Sequence, residues 1–344
     1  MSLSDTVRGI VAVDEIARAQ AVEHQLALAK PPHALGRLED LGVQLAAIAG
    51  QCPPPMPDPA RIVVVAGDHG VVDQEVTRWP PALSGVLAGT VVDGVAGVSV
   101  LARSAGVQVV ALDAGLAAPV PSVPEAVIRR GTADFTQGPA MTRDEATAAV
   151  ELGIAQAELA YDEGVRCLAT GEVGIGNTTA AAALIAAFTG AEAAAVAGRG
   201  ADSPPEMVAH KVDVIARALA LHAPDPADPI GVLAAVGGVE QAVLTGLVLG
   251  AARLRLPVLL DGVTGVAAGL AAVALCPAAS GYLIAAHAGA EPGIGVGLSA
   301  LELTPVIDLG LALGEGTGAA LAVPILRASV AVMTKMATLA SLLG

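Results

Sequence analysis

Five short, largely apolar runs punctuate the chain, at 62–66, 107–112, 165–169, 257–260 and 282–286, interrupted only by Gln108 and Arg166 and each too short for a helix of its own. Continuous apolarity, rather than alternation, marks a strand covered on both faces, so these runs predict buried strands. Alanine-rich stretches of helical length lie between them, among them 143–164, 178–187 and 241–254. This β–α–β rhythm predicts an α/β fold: a doubly wound, mostly parallel sheet in a Rossmann-like three-layer arrangement. Outside the strand region an amphipathic helix is expected near 4–29, ended by Lys30, Pro31 and Pro32. A second is expected near 35–48, then a proline-rich link at 52–59, and a last helix over 318–343. The two chain ends are expected to pack as a small helical subdomain, residues 1–59 plus 313–344, beside a catalytic sheet domain of residues 60–312.

The segments that follow the runs are more informative. They read AGDHG at 66–70, LDAG at 112–115, TGEVGIGN at 170–177, LDGVTG at 260–265 and AHAGAEPG at 286–293, so each combines glycine with an acid or a histidine. In an open parallel sheet, ligands sit outside the carboxyl ends of the strands. One such loop alone reads as an ordinary turn. Five together predict a single site on one rim.

Composition narrows the classes. The 54% hydrophobic content is carried largely by Ala and Val, with aromatics at only 1%, which predicts tight helix-on-sheet packing rather than a bilayer span. The longest stretch without Asp, Glu, Lys or Arg, 262–290, is interrupted by Pro277, Ser280, Gly281 and His287 and lacks the aromatic and basic flanks of a span. No membrane association is expected. The first fifteen residues carry acids and no apolar h-region, so no signal peptide is expected and the cytoplasm is the expected compartment. Cys52, Cys167 and Cys276 form no CxxC or Cys/His cluster. A formal charge of −15 argues against nucleic acid as a partner, so any phosphate must be held by a local pocket.

Three places carry candidate chemistry. The first is a strand, a glycine turn (Gly174, Ile175, Gly176) and a helix with Asn177 as expected N-cap and Thr178 in its first turn; free N–H groups there make an anion site. It lacks the GK[ST] ending of a P-loop and the full GxGxxG of a dinucleotide fold, and taken alone it also fits a plain capped helix. Glu172 inside the turn either binds a ligand donor or pairs with a nearby base. Lys211 and Arg199 are possible phosphate partners, although a lysine is ordinarily solvated. The second place is Glu315, between glycines before a helix, where partial burial would make a usable base; a first-turn acid complementing the helix dipole fits equally well. The third is the pair His69 and His287. They lack HxxxH or HExxH spacing, and no metal is expected.

Taken in order, KPPHALGRLEDLGVQLAAI at 30–48, VVVAGDHGV at 63–71, GPAMTRDEA at 138–146, GEVGIGNTTAA at 171–181, GRG at 198–200, AVGGVE at 235–240, LLDGVT at 259–264, AHAGAEPG at 286–293 and LGEGTGAALAVPILRA at 313–328 resemble the nicotinate-nucleotide–dimethylbenzimidazole phosphoribosyltransferase (CobT) family of cobalamin lower-ligand synthesis. The resemblance implies a homodimer without a cofactor. It implies that ribose phosphate passes from nicotinate mononucleotide to an aromatic base, with Glu315 as catalytic base. It further implies donor and phosphate contacts from Glu172, Gly174, Ile175, Gly176, Asn177, Thr178, Arg199, Gly200, Lys211, Gly262, Gly289 and Ala290. The acceptor pocket would involve Arg78, Trp79, Val86 and Leu313. Here the chain departs from the family pattern: Arg78 stands for a small residue, Val86 for a glutamine, and GRGTG becomes GRGAD at 198–202. Dimethylbenzimidazole is the expected acceptor, with another benzimidazole, a purine or a phenolic base as alternatives. A non-catalytic binder of nicotinate mononucleotide is the alternative of a different class, and an NAD-dependent dehydrogenase lacks its glycine fingerprint.

Overall fold

The apolar runs form strands because both of their faces are covered. In the computed structural model, which describes residues 1–343, they are β1 (Ala60–Gly67), β2 (Gln108–Gly115), β3 (Cys167–Val173), β4 (Val258–Leu260) and β5 (Leu283–Ala285). Along β1, Ile62, Val64 and Ala66 enter one core and Val63 and Val65 the other, so every position from 62 to 66 is apolar. The strands pair in the order β2-β1-β3-β4-β5, all parallel. The chain leaves β1 in one direction for β2 and in the other for β3 to β5. The switch point therefore lies between β1 and β3, where such sheets open a crevice for ligands.

Helices cover both faces, giving a doubly wound, three-layer α/β fold. One face carries α6 (Arg143–Asp162), α7 (Asn177–Thr189), α8 (Ala193–Val196), α9 (Pro205–His222), α10 (Pro229–Val236), α11 (Val239–Arg253), α12 (Gly262–Leu275) and α13 (Pro292–Ala300). The other carries α3 (Arg37–Ala49), α4 (Leu83–Val92), α5 (Gly97–Ala105) and α14 (Thr317–Lys335). The charge-free stretch at 262–290 is the buried α12 followed by β5 and a further short strand, His287–Gly289. Two other stretches, Leu83–Ala105 and Thr317–Lys335, are long and apolar enough to cross a bilayer; the first is divided into α4 and α5, and the second shares the core of the sheet.

Small residues set the helix packing. Where α6 crosses α11, a Cβ on Gly153 would lie 1.8 Å from the Val243 carbonyl oxygen, and one on Gly246 1.8 Å from that of Val150. Backbone meets backbone there. Gly246→Ala is therefore expected to cost about 3 kcal/mol in urea denaturation, since neither helix can yield without disturbing the sheet beneath. Gly295→Ala, on α13 with no atom within 4 Å of the new methyl, should instead stabilise by about 0.5–1 kcal/mol.

The chain ends depart from the expected single helices. Residues 4–29 divide into α1 (Leu3–Gly9) and α2 (Glu15–Ala27), because Asp14 caps α2 through Ala17 N–H at 2.9 Å while Ile10 is drawn into the core and Val13 packs on Gly281. The final helix likewise ends at Lys335 and resumes as α15 (Leu339–Leu343), and Gly344 lies outside the described residues. The two ends meet: Ala29 N–H donates to Ala337 O at 2.8 Å, and α3 packs on both α2 and α14. A second, two-stranded parallel sheet was not expected from the sequence. Its strands β6 (His287–Gly289) and β7 (Ile307–Leu311) continue the rim beyond β5.

Candidate active site

The end of β3 builds an anion compartment. Gly174 must be glycine, as a Cβ would stand 2.3 Å from Gly67 O. Gly176, at φ 92°, is the N-cap of α7, so the cap lies one residue before the expected Asn177. Asn177 instead opens the helix, accepting from Thr178 N–H at 2.7 Å and donating its amide to the Glu172 carboxylate. Lys211 reaches in from α9. It is 2% exposed, and its Nζ donates to Thr178 Oγ1 and Gly198 O, both at 3.1 Å. An ammonium has three donors, so one remains for a ligand. Burial lowers the proton affinity of Lys211, and the nearby Glu291 carboxylate opposes that shift. These groups line a cavity of about 60 Å³ together with Val76, Thr77 and Ser203, at the switch point between β1 and β3. The helix N-terminus and a buried ammonium converge there, a setting that suits a phosphate dianion.

A larger chamber of about 270 Å³ adjoins it, sharing Gly174, Ile175, Asn177, Thr178, Gly200 and Ala201 as wall. Its lining is mostly apolar, from Leu87, Val263, Ile294 and Leu313, with three carboxylates, Glu172, Glu291 and Glu315, of which Glu291 accepts from Gly200 N–H at 2.7 Å. Glu315 is 8% exposed. It sits at φ 62° between Gly314 at 77° and Gly316 at 99°, three successive left-handed residues, a conformation that a glutamate adopts only when its surroundings hold it. Its Oε2 accepts from Val98 N–H, at the start of α5, at 3.4 Å. Burial raises its pKa, the Val98 N–H pulls it back, and the Asp261 charge adds to the rise, leaving it above the ordinary glutamate value. Glu172 is pushed up to about 8, first by burial and then by the Glu240 charge, against the opposing bond from Asn177. Near neutrality Glu172 thus keeps its proton, and burial makes Glu315 a stronger base than an ordinary glutamate.

Two buried His–carboxylate pairs support these groups. His69 Nε2 lies 3.1 Å from Glu240 Oε1 beneath the glycine turn. Burial works against its protonation, and Glu240 outweighs it. His287 Nε2 lies 3.5 Å from Asp261 Oδ1, and the His287 ring reaches the chamber wall. Each histidine faces its own carboxylate, and the two pairs are separate.

Several expectations require correction. The five loops do not all face one site: Asp68 accepts from Ala117 N–H, and Asp113 is buried against Leu116 N–H and Arg130, so the first two endings are engaged in internal bonds. Val86 is 61% exposed and turned outward, because successive helical residues point about 100° apart; its neighbour Leu87 lines the chamber instead. Arg78 and Trp79 lie outside the chamber. They bind the 198–202 loop, Arg78 to Asp202 at 3.3 Å and the Trp79 indole N–H to Ala201 O at 2.9 Å. Arg199 is tied to Asp202 and to Ser203 O and does not line the phosphate-sized cavity. Gly289 belongs to β6, and it is Ala290 after it that reaches the wall, as do Gly262, Gly200 and Leu313. Sequence reasoning had not selected Asp261, Glu240 or Leu87 as site residues. Asp261 and Glu240 sit in segments, LDGVT and AVGGVE, whose acids were visible, but their partners are distant in the chain.

Residues 10–342 match a family model described as phosphoribosyltransferase. A nicotinate-nucleotide–dimethylbenzimidazole phosphoribosyltransferase of Salinispora tropica is 49% identical, covering 98% of this chain and 98% of that protein. One of Roseiflexus sp. is 47% identical over 98% of this chain and 96% of its own length. The crystal structure of the enzyme of that name from Thermus thermophilus superposes with a TM-score of 0.89 at 40% identity, covering 96% of this chain and 98% of that one.

Proposed function

Because this chain belongs to the nicotinate-nucleotide–dimethylbenzimidazole phosphoribosyltransferase family, we propose that it transfers the ribose 5-phosphate of nicotinate mononucleotide to dimethylbenzimidazole, forming the α-ribotide of the cobalamin lower ligand. The observation that carries the reading is the pairing of two compartments: a phosphate-sized one with Lys211 and the α7 N-terminus, opening into an apolar one that holds Glu315 and Glu172.

The chemistry asks little beyond placement. The donor phosphate docks on Lys211 and the amides of the 174–178 turn. Glu315 removes the N–H proton of the azole as its other ring nitrogen attacks C1′ of the ribose from the face opposite the leaving group. The C1′–N bond to the nicotinate ring breaks, its electron pair neutralises the cationic ring nitrogen, and nicotinate departs. Attack from that face inverts the β-linkage of the donor to α. Holding the two substrates at reacting distance supplies most of the acceleration, and the positioned base supplies a further ~10²–10⁴-fold. Apolar walls suit a flat base, and Leu87 and Leu313 bound its side of the chamber. We assign the working unit to a homodimer; Val86 and Leu309, one and two residues from the chamber-lining Leu87 and Leu311, and Leu313 itself expose apolar surface at 61%, 64% and 60%.

The test is nicotinate mononucleotide offered with an equimolar mixture of dimethylbenzimidazole, benzimidazole, adenine and p-cresol, with ribotides resolved by mass spectrometry. Dimethylbenzimidazole ribotide is expected to dominate; another ribotide in its place would move the acceptor assignment, and nucleotide binding without any ribotide would leave a binder. The placement of Trp79 gives a second expectation. Its indole bond tethers the loop over the phosphate compartment, so Trp79→Ala should raise the donor KM about 2–10-fold, the loss of one neutral hydrogen bond, with the acceptor KM unchanged in steady-state assays.

A further inference from the structure

We infer that Asp261 is a positioning residue for the reaction: from the end of β4 it clamps the left-handed turn that aims Glu315 into the chamber. The inference deepens the transferase reading and rests on it.

The side chain of Asp261 is 2% exposed, and both of its oxygens are engaged. Oδ2 accepts from Gly316 N–H at 3.1 Å and Oδ1 from Ala319 N–H at 2.9 Å. These are the N-cap of α14 and a donor in its first turn, so a carboxylate from another strand end caps this helix. No side chain of the helix itself does so. Gly316 directly follows Glu315, and the grip on its N–H fixes the plane of the peptide that follows the glutamate. Asp261 is held in turn: its N–H donates to Thr170 Oγ1 at 2.8 Å, on β3 two residues before Glu172. His287 closes the other side at 3.5 Å, a charge contact rather than a hydrogen bond. Burial lowers the proton affinity of His287, and Asp261 more than restores it. The imidazole is pressed on the helix start, where a Cβ on Gly318 would come within 2.0 Å of its ring. A strained turn, a buried carboxylate that bonds it on the carboxyl side of the strained residue, and an imidazole packed behind that carboxylate form one rigid unit.

The same charge acts on the base. The groups facing Glu315 are Asp261, Glu172 across the chamber, His287 behind Asp261, and the Val98 N–H. Of these, Asp261 disfavours the ionised form of Glu315. Removing it should let Glu315 lose its proton at lower pH and so make it a weaker base.

Asp261→Asn separates this role from simple capping, because an amide has one acceptor where the carboxylate has two and carries no charge. The ¹³C shift of the Glu315 side-chain carboxyl is titrated in wild type and variant, and kcat and donor KM are measured alongside. The expected result is a Glu315 titration moved to lower pH, kcat lowered by ~10²-fold, the scale of a reacting group displaced by about 1 Å, and a donor KM within twofold. Asp261→Glu, which keeps the charge and misplaces it, should leave the titration near wild type while kcat still falls. Thr170→Val, which leaves Asp261 intact and loosens its backbone, should lower kcat by less and is the fallback if either variant fails to fold. An unshifted Glu315 titration in Asp261→Asn, or a wild-type kcat in it, overturns the inference; so does loss of donor affinity in step with lost thermal stability. If wild type forms no ribotide from any base, the transferase reading fails, while the titration still decides whether Asp261 governs Glu315.

Discussion

Replacing Glu315 by glutamine is expected to lower ribotide formation by ~10²–10⁴-fold while nicotinate mononucleotide binds within about threefold of wild type, the range a positioned general base contributes. The amide fills the same space beside Val98 and keeps the left-handed turn, so the loss reports the proton acceptor rather than the fold. The pH profile extends the prediction. Activity should rise as Glu315 ionises, at a pH above the ordinary glutamate value because burial opposes its charge. It should fall again near pH 8, where Glu172 loses the proton that burial and the Glu240 charge hold on it. Both limbs are properties of a coupled pair. Glu172→Gln, which stays neutral at any pH, should remove the descending limb and leave the ascending one. An ascending limb that survives in Glu315→Gln would instead assign the base to another group.

Lys211→Met carries the second large effect. Its ammonium is the buried cation of the phosphate compartment, with two of three donors already engaged by Thr178 and Gly198. A phosphate that takes the third gains a charge-assisted bond of about 1.5–3 kcal/mol, so donor KM should rise ~10–150-fold. Methionine keeps most of the volume and leaves the apolar stem packed. The effect should fall on KM with kcat within about threefold, since Lys211 lies in the compartment that neither Glu172 nor Glu315 lines. Nicotinate riboside, which lacks the phosphate, should be used equally poorly by wild type and variant. Steady-state kinetics with both donors checks this; equal losses with the two donors would show that Lys211 holds the loop and not the ligand.

The parts that were legible in the sequence are those with local causes. Strands buried on both faces tolerate few polar positions, so β1 to β5 stood out as apolar runs. The 174–178 turn was legible because Gly174 and Gly176 have backbone reasons to be glycine. Other features depend on partners far away in the chain. That Lys211 is buried follows from its bonds to Thr178 and Gly198, and nothing near it in sequence announces them. The break between α1 and α2 reflects Ile10 entering a core built mainly by the sheet domain. The choice of Leu87 over Val86 for the chamber wall turns on the rotation of α4, which its mostly apolar sequence, with no charged residue, leaves open. Arg78 and Asp202, two departures from the family pattern more than a hundred residues apart, proved to be partners of each other, so the acceptor wall they were expected to disturb is built by other residues.

The most direct test is a single-turnover reaction of purified protein with nicotinate mononucleotide and dimethylbenzimidazole, following nicotinate release and the anomeric ¹H signal of the product together. Stoichiometric nicotinate with an α-ribotide, lost in Glu315→Gln, is the predicted result. Nicotinate released with free ribose 5-phosphate, or a nucleotide bound and left intact, would contradict it.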